Sequence, residues 1–121
     1  MTNPRDIAQR YIATWNETDP DERMTLLRSG WAEDASYADP MAKVAGAEAL
    51  GALIGGVHDR FPGFRFALIG EPDGHGDYVR LAWSLGPEGV PAPIEGSDVV
   101  TVANGRIASV VGFLDKVPQA A

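Results

Sequence analysis

The sequence has no cysteine and only two histidines, His58 and His75, among its 121 residues. Disulfides, thiol nucleophiles and cysteine-ligated metals are therefore excluded, and a histidine-rich metal site is not expected. Cations are scarce as well: 10 Lys and Arg stand against 17 Asp and Glu, for a net charge of −7, and the basic residues are scattered along the chain. Such a surface repels a phosphate backbone, so nucleic acid is not an expected partner. No apolar run approaches the roughly 20 residues that span a bilayer. The opening MTNPRD lacks the basic-then-apolar pattern of a signal peptide. The expectation is a cytoplasmic protein with no membrane partner. What the chain does have is apolar content, 45% of its residues, enough to build one core in a single domain over 1–121.

The apolar residues follow two periods. Residues 3 to 16 predict a helix with Asn3 as cap, Pro4 in the first turn, and Ile7, Ala8, Tyr11, Ile12 and Trp15 along one stripe. Asp19, Pro20 and Glu22 open a second helix as a capping box, and Ser29-Gly30 ends it. Residues 46 to 61 give a third, with Leu50, Leu53, Ile54, Val57 and Phe61 at helical spacing before Pro62-Gly63. From Phe64 the period changes to two, with a turn expected at DGHG, 73–76, and a hairpin at Asn104-Gly105 between strands near 94–103 and 106–115. Helices first and a mostly antiparallel sheet afterwards make an α+β domain. Only the last residues, PQAA, read as a loose tail.

Three polar side chains sit where the pattern asks for something else. Tyr11 lies in the apolar stripe of the first helix. Asp39, in YADP, precedes a proline that biases it away from helix. Asp98 shares a strand face with Gly96, Val100 and Val102. Each has a plain structural reading: a core tyrosine bonded to a carbonyl, an Asx turn, and a surface aspartate beyond a bulge at Gly96-Ser97. His58, beside Ile54 and Phe61, reads as structural, and His75 as an exposed turn residue. The last strand is apolar on both faces, with Ile107, Val111 and Phe113 on one and Ala108, Val110, Gly112 and Leu114 on the other. A sheet apolar on both sides implies a cavity, a homodimer interface, or both.

The stretches AQRYIATWN, EDASYADP and SDVVTVANGRIASVVGFLD, with a helix opened by Gly46, resemble the cone-shaped nuclear transport factor 2-like superfamily. Within it they are similar to ketosteroid isomerases and SnoaL-like polyketide cyclases. The resemblance covers almost the whole chain. It implies a curved, mostly antiparallel sheet wrapped around a long N-terminal helix, with two further helices. It also implies roles known from ketosteroid isomerase: Tyr11 matches the oxyanion-binding tyrosine, Asp39 the general base, and Asp98 the second, protonated oxyanion donor. Two positions depart from the isomerases: Ile54 and Leu114 stand where aromatics are found.

The function so implied is cofactor-free proton transfer beside a carbonyl of a small apolar cyclic molecule. Asp98, on its valine face and near a second carboxylate, is expected to be a neutral donor at pH 7. Trp15, Trp31, Ile54, Phe61, Trp83, Val100, Val110 and Leu114 are the expected walls of the substrate cavity. Polyketide cyclisation is the alternative reaction. Epoxide hydrolysis would need an arginine between two carboxylates, and parity sets Arg80 on the face opposite Trp83. A noncatalytic small-ligand binder or dimeric module is the alternative of a different class.

Overall fold

Two capped helices open the chain. The Asn3 side chain accepts from the Arg5 and Asp6 amides at 3.0 and 3.2 Å and starts α1 (Pro4–Asn16). Pro4 fills the first turn, where a missing N–H costs nothing. Asp19 caps α2 (Pro20–Gly30) in the same way. The expected capping box is only half formed, because the Asp19 amide donates to the Glu17 carboxylate, two residues upstream, and not to Glu22. The computed structural model describes residues 3–118, so the tail expected from Pro118 to Ala121 falls, after its first residue, outside the described residues.

The remaining elements are β1 (Trp31–Ala38), β2 (Lys43–Ala45), α3 (Ala47–Arg60), β3 (Arg65–His75), β4 (Tyr78–Gly86), β5 (Ile94–Ala103) and β6 (Arg106–Lys116). They form one six-stranded sheet in the order β2-β1-β6-β5-β4-β3, antiparallel throughout except where β1 runs parallel to β6. Three helices with this curved, unclosed sheet make the fold α+β. Helix α1 packs on β3 and β4, while α3 packs on β1 and α2. The core lies between them, with Leu27, Trp31, Leu50, Ile54, Val79, Val100 and Ile107 among its fully buried side chains.

The sheet corrects two expectations. Strand β3 runs through 73–75 to His75, which pairs with Tyr78, so the turn is Gly76-Asp77 and not 73–76. An irregularity between Ile69 and Asp73, where Gly70 takes a φ of 66°, carries Pro72 through without its missing amide breaking the pairing beyond. Ile107 is not on the outer face: the β5–β6 register shifts between Thr101 and Val102, Ala108 is the extra residue, and Ile107 joins Val110 inside. Val111 and Phe113 do face outward beside Val99, and are 48%, 57% and 38% exposed respectively. Strand β2, after the Pro40 turn, had no signal because its three residues are too few to show a period. The Asn104-Gly105 turn forms as expected, with φ of 53° and 75°.

Spaces left by glycine set how closely the layers meet. A Cβ on Gly96 would lie 2.3 Å from the Trp83 ring, so the absent side chain is what lets that indole lie across β5. On α3, a Cβ on Gly51 would lie 3.0 Å from the Met24 sulfur, and one on Gly55 3.0 Å from Nη1 of the buried Arg23. That guanidinium donates to the Glu17, Thr18 and Gly51 carbonyls and ties α2 to α3. Gly56 differs, since nothing lies within 4 Å of a Cβ there. Gly56→Ala is therefore expected to stabilise by about 0.5–1 kcal/mol through helix propensity. Gly55→Ala, which crowds Arg23, is expected to destabilise. Urea unfolding of the two variants checks this, and a stabilised Gly55→Ala would show that the Arg23 contact yields freely.

Candidate functional site

The Pro40 turn fixes Asp39 from both sides. The Asp39 amide donates to the Ala42 carbonyl at 2.9 Å, and Asp39 Oδ1 accepts from the Met41 and Ala42 amides at 2.7 and 2.8 Å. Asp39 is thus the Asx turn of the structural reading, and its other oxygen is still directed inward. That oxygen, Oδ2, accepts from the Tyr37 hydroxyl at 2.5 Å. Tyr37 was not among the expected site residues. The signal was strand parity, since Tyr37 and Asp39 are two residues apart and share a face. Burial, and next the hydrogen bond to Asp39, push the Tyr37 hydroxyl far above its usual range.

Strand parity holds at Asp98, which is 2% exposed on the inner face of β5. Its Oδ2 accepts from the Tyr11 hydroxyl at 2.6 Å and from Trp83 Nε1 at 3.0 Å. Its Oδ1 lies over Gly112, where a Cβ would come within 2.5 Å of it and within 3.5 Å of Asp39 Cβ. Gly112 therefore opens the gap through which β5 and the Asp39 turn approach each other. Burial raises the Asp98 carboxyl to about 6; the Tyr11 and Trp83 hydrogen bonds pull against it, and the Asp39 and Asp115 charges add to it. The direction is the one expected for Asp98: burial favours the neutral form, and the two donors on Oδ2 oppose it by stabilising the carboxylate. Tyr11 is raised well above its usual value by burial first, and by Asp98 next.

Tyr11, Asp39 and Asp98 line one cavity of about 590 Å³ between α1, α3 and the inner face of the sheet. Trp15, Phe61, Trp83 and Leu114 line it too, as expected. Trp31, Ile54, Val100 and Val110 do not, which corrects the expected walls. Trp31 is sealed under α1, its ring 5.7 Å from that of Tyr11 and its Nε1 donating to Thr14 Oγ1. Ile54 falls on the core side of α3, and Val100 pairs with Val110 beyond Asp98, on the closed side of the sheet. Residues not anticipated include Met41, Leu53, Val57, Arg60, Phe66 and Leu85. They come from the Pro40 turn, α3, β3 and β4, which no local pattern joins.

The donors are mostly committed. The Tyr11 and Trp83 hydrogens go to Asp98 and that of Tyr37 goes to Asp39. Trp15 Nε1 is buried without a hydrogen-bond partner. His58 is structural: its Nε2 lies 2.7 Å from the Trp15 carbonyl and ties α3 to the end of α1. His75 is exposed beside Tyr78. Arg80 pairs with Asp73 on the solvent side and does not reach the cavity. Among the described residues, no three His, Asp or Glu side chains are grouped to hold a metal, and no helix is long and apolar enough to cross a membrane.

Comparison with known proteins places this geometry in context. A family model for the SnoaL-like domain matches residues 8–110. A proposed isomerase of the SnoaL-like family from Agrobacterium tumefaciens is 43% identical, with 95% of this chain and 99% of that one covered and a TM-score of 0.90. A proposed ketosteroid isomerase from Kribbella flavida is 16% identical over 98% of this chain and 82% of that one, with a TM-score of 0.71. A proposed polyketide cyclase from Sinorhizobium meliloti is 20% identical over 88% and 93%, with a TM-score of 0.70. The latter two likenesses carry the fold alone. No curated protein matches significantly.

The raised Asp98 carboxyl has a consequence for stability. Because the folded value of about 6 exceeds the ordinary 3.8, the folded state holds this proton more tightly than the unfolded chain. Its contribution is fully present below pH 3.8 and is lost as pH rises through about 6. Asp98→Asn keeps an acceptor for Tyr11 and Trp83 and cannot ionise. Relative to Asp98→Asn, the parent is expected to lose roughly 3 kcal/mol between pH 3.8 and pH 7.5. Urea unfolding of both proteins across that range measures it, and a constant difference would show Asp98 titrating as a solvated group.

Proposed function

We propose that this chain, which belongs to the SnoaL-like domain family, catalyses cofactor-free proton transfer beside the carbonyl of an apolar cyclic substrate, in the cytoplasm, with Asp39 as base and Asp98 as the donor to the oxyanion. The observation that carries this reading is that two carboxylates in unlike environments line the same apolar cavity. Asp39, bound by two amides and Tyr37, is held in one orientation at the rim. Asp98, buried and raised to about 6, is readily neutral. Two carboxyl groups in unlike surroundings, one of them raised by burial, divide the base and acid roles.

In this mechanism Asp39 removes the proton from the carbon next to the carbonyl, and the C–H electron pair moves into the enolate. Tyr11 and Trp83 both donate to Asp98 Oδ2, so the proton of neutral Asp98 resides on Oδ1, and Oδ1–H is the donor offered to the oxygen where charge develops. Tyr11 acts through Asp98, as a positioning residue. In a β,γ-unsaturated ketone that enolate is conjugated with the double bond, and returning the proton from Asp39 to its γ carbon completes an isomerisation. The family match favours one second reading, polyketide cyclisation, in which the same enolate carbon attacks a carbonyl of its own chain.

Deuterium uptake by small cyclic ketones in heavy water tests the base. Asp39→Asn is expected to lose at least about 100-fold in exchange with its fold intact, as general-base removal does. Unchanged exchange would leave the cavity as a noncatalytic binding site. The parent rate is expected to fall as pH rises through about 6, where Asp98 ionises, and Asp98→Asn to remove that fall.

The proposal includes a homodimer, in which a second copy covers Val99, Val111 and Phe113 on the outer face of the sheet. Light scattering is expected to give twice the chain mass at micromolar concentration, and Phe113→Glu to give the monomer. A monomeric parent would sink it.

A further inference from the structure

Helix α3 turns one stripe toward the cavity, and its composition is unusual. Ala52, Leu53, Gly56, Val57, Arg60 and Phe61 line the cavity at helical spacing. Gly51 and Gly55, on the neighbouring stripe, are explained by Met24 and Arg23, which fill the space their side chains would take. Gly56 has no such neighbour, and a helix-interior glycine without a packing role is destabilising. Its effect is to leave cavity volume open over bare backbone, one turn before Arg60.

Arg60 is the cation of this cavity. It is exposed at the last turn of α3, and among the described residues it makes no ion pair or side-chain hydrogen bond. The residues one turn before it on its own face, Gly56 and Val57, carry no charge. Of the groups facing it across the cavity, Asp39 and Asp98 are the acids, and both are engaged by Tyr37, Tyr11, Trp83 and backbone amides. The tyrosine and Trp83 donors are spent inside the protein and Trp15 Nε1 is sealed, which leaves the guanidinium as the free cationic donor of the lining.

We infer that Gly56 and Arg60 form a specificity groove on α3, in which the bare backbone admits the end of an apolar ligand and the guanidinium binds a carboxylate carried at that end. This rests on the proton-transfer reading and narrows its substrate to a cyclic ketone that bears a carboxylate. The orientation follows from charge: an anion placed at depth would meet Asp39 and Asp98, so the ketone enters first and the carboxylate stays at the rim. The guanidinium fork fits either a carboxylate or a phosphate. A phosphate dianion calls for a second cation, and the cavity lining supplies none.

Isothermal titration calorimetry with three probes of one shape tests the assignment: 1-tetralone-6-carboxylate, its methyl ester, and 1-tetralon-6-yl phosphate. The parent is expected to bind the carboxylate about 3- to 10-fold more tightly than the ester, the range of a rim ion pair in bidentate geometry, and the phosphate no better than the carboxylate. Arg60→Gln is expected to erase the preference by weakening the carboxylate alone, Arg60→Glu to reverse it, and Gly56→Leu to weaken all three probes. A merely structural Arg60, favourable at the helix C-terminus, would not discriminate by ligand charge. Equal binding of carboxylate and ester by the parent, an equal loss of both in Arg60→Gln, tighter binding of the phosphate, or binding of none of the probes would overturn the inference. Asp39→Asn is expected to keep the charge preference, and a parent that shows the preference without catalysing exchange tells against the reaction alone.

Discussion

Two hydrogen bonds meet on a single oxygen, Oδ2 of Asp98, and the inner face of the sheet is organised around them. Tyr11 reaches it from α1 and Trp83 from β4, so one carboxylate joins a helix to the sheet it packs on. A buried carboxyl left without partners would be strongly destabilising, and one fully paired as an anion would have no use for a proton. Two donors on one oxygen give an intermediate state. Burial raises the group, the donors hold it to about 6, and the second oxygen remains free to carry a proton. Asp39 sees the opposite environment at the cavity rim, with three donors on its two oxygens. The chemistry proposed for the cavity follows from that difference.

The arrangement depends on absent atoms as much as on present ones. Gly96 leaves the space that lets the Trp83 indole cross β5 and bring Nε1 to Asp98, and Gly112 leaves the space in which Asp98 Oδ1 and the Asp39 turn come together. Gly51 and Gly55 let α2 close on α3 around Arg23, which braces the helix that forms the cavity's outer wall. In each case a methyl group would fall within about 3 Å of a neighbour whose position matters, and overpacking of that kind shifts the neighbour.

The local elements were legible because each rests on a signal a few residues long. Asn3-Pro4 and Asp19-Pro20 started helices where expected, Asn104-Gly105 turned a hairpin, and alternation put Asp98 inside. The failures came where a longer-range term intervened. A bulge at Ala108 reversed the parity of Ile107, and an irregularity after Ile69 moved a turn by two residues to Gly76-Asp77. Among the expected walls, Trp31, Ile54, Val100 and Val110 were taken for lining because an apolar face looks the same whether it meets a cavity or a core. Tyr37 was readable from its parity with Asp39.

The sequence by itself determined which residues are helical, which faces are apolar, and which three polar groups are out of place on them, because propensity, capping and periodicity act over one or two turns of chain. It also carried the family resemblance, since that too is a pattern in linear order. Only the tertiary structure decided that Tyr11, Asp39 and Asp98 share one cavity, that the Tyr11 proton goes to Asp98, and that Arg60 and Gly56 border the same space. Those facts depend on distances between residues 20 to 90 positions apart, set by how β1 docks on β6 and how α1 and α3 flank the sheet. The value of the Asp98 carboxyl was out of reach for the same reason: burial and partners shift it in opposite directions, and their balance is fixed only when the chain has closed around it.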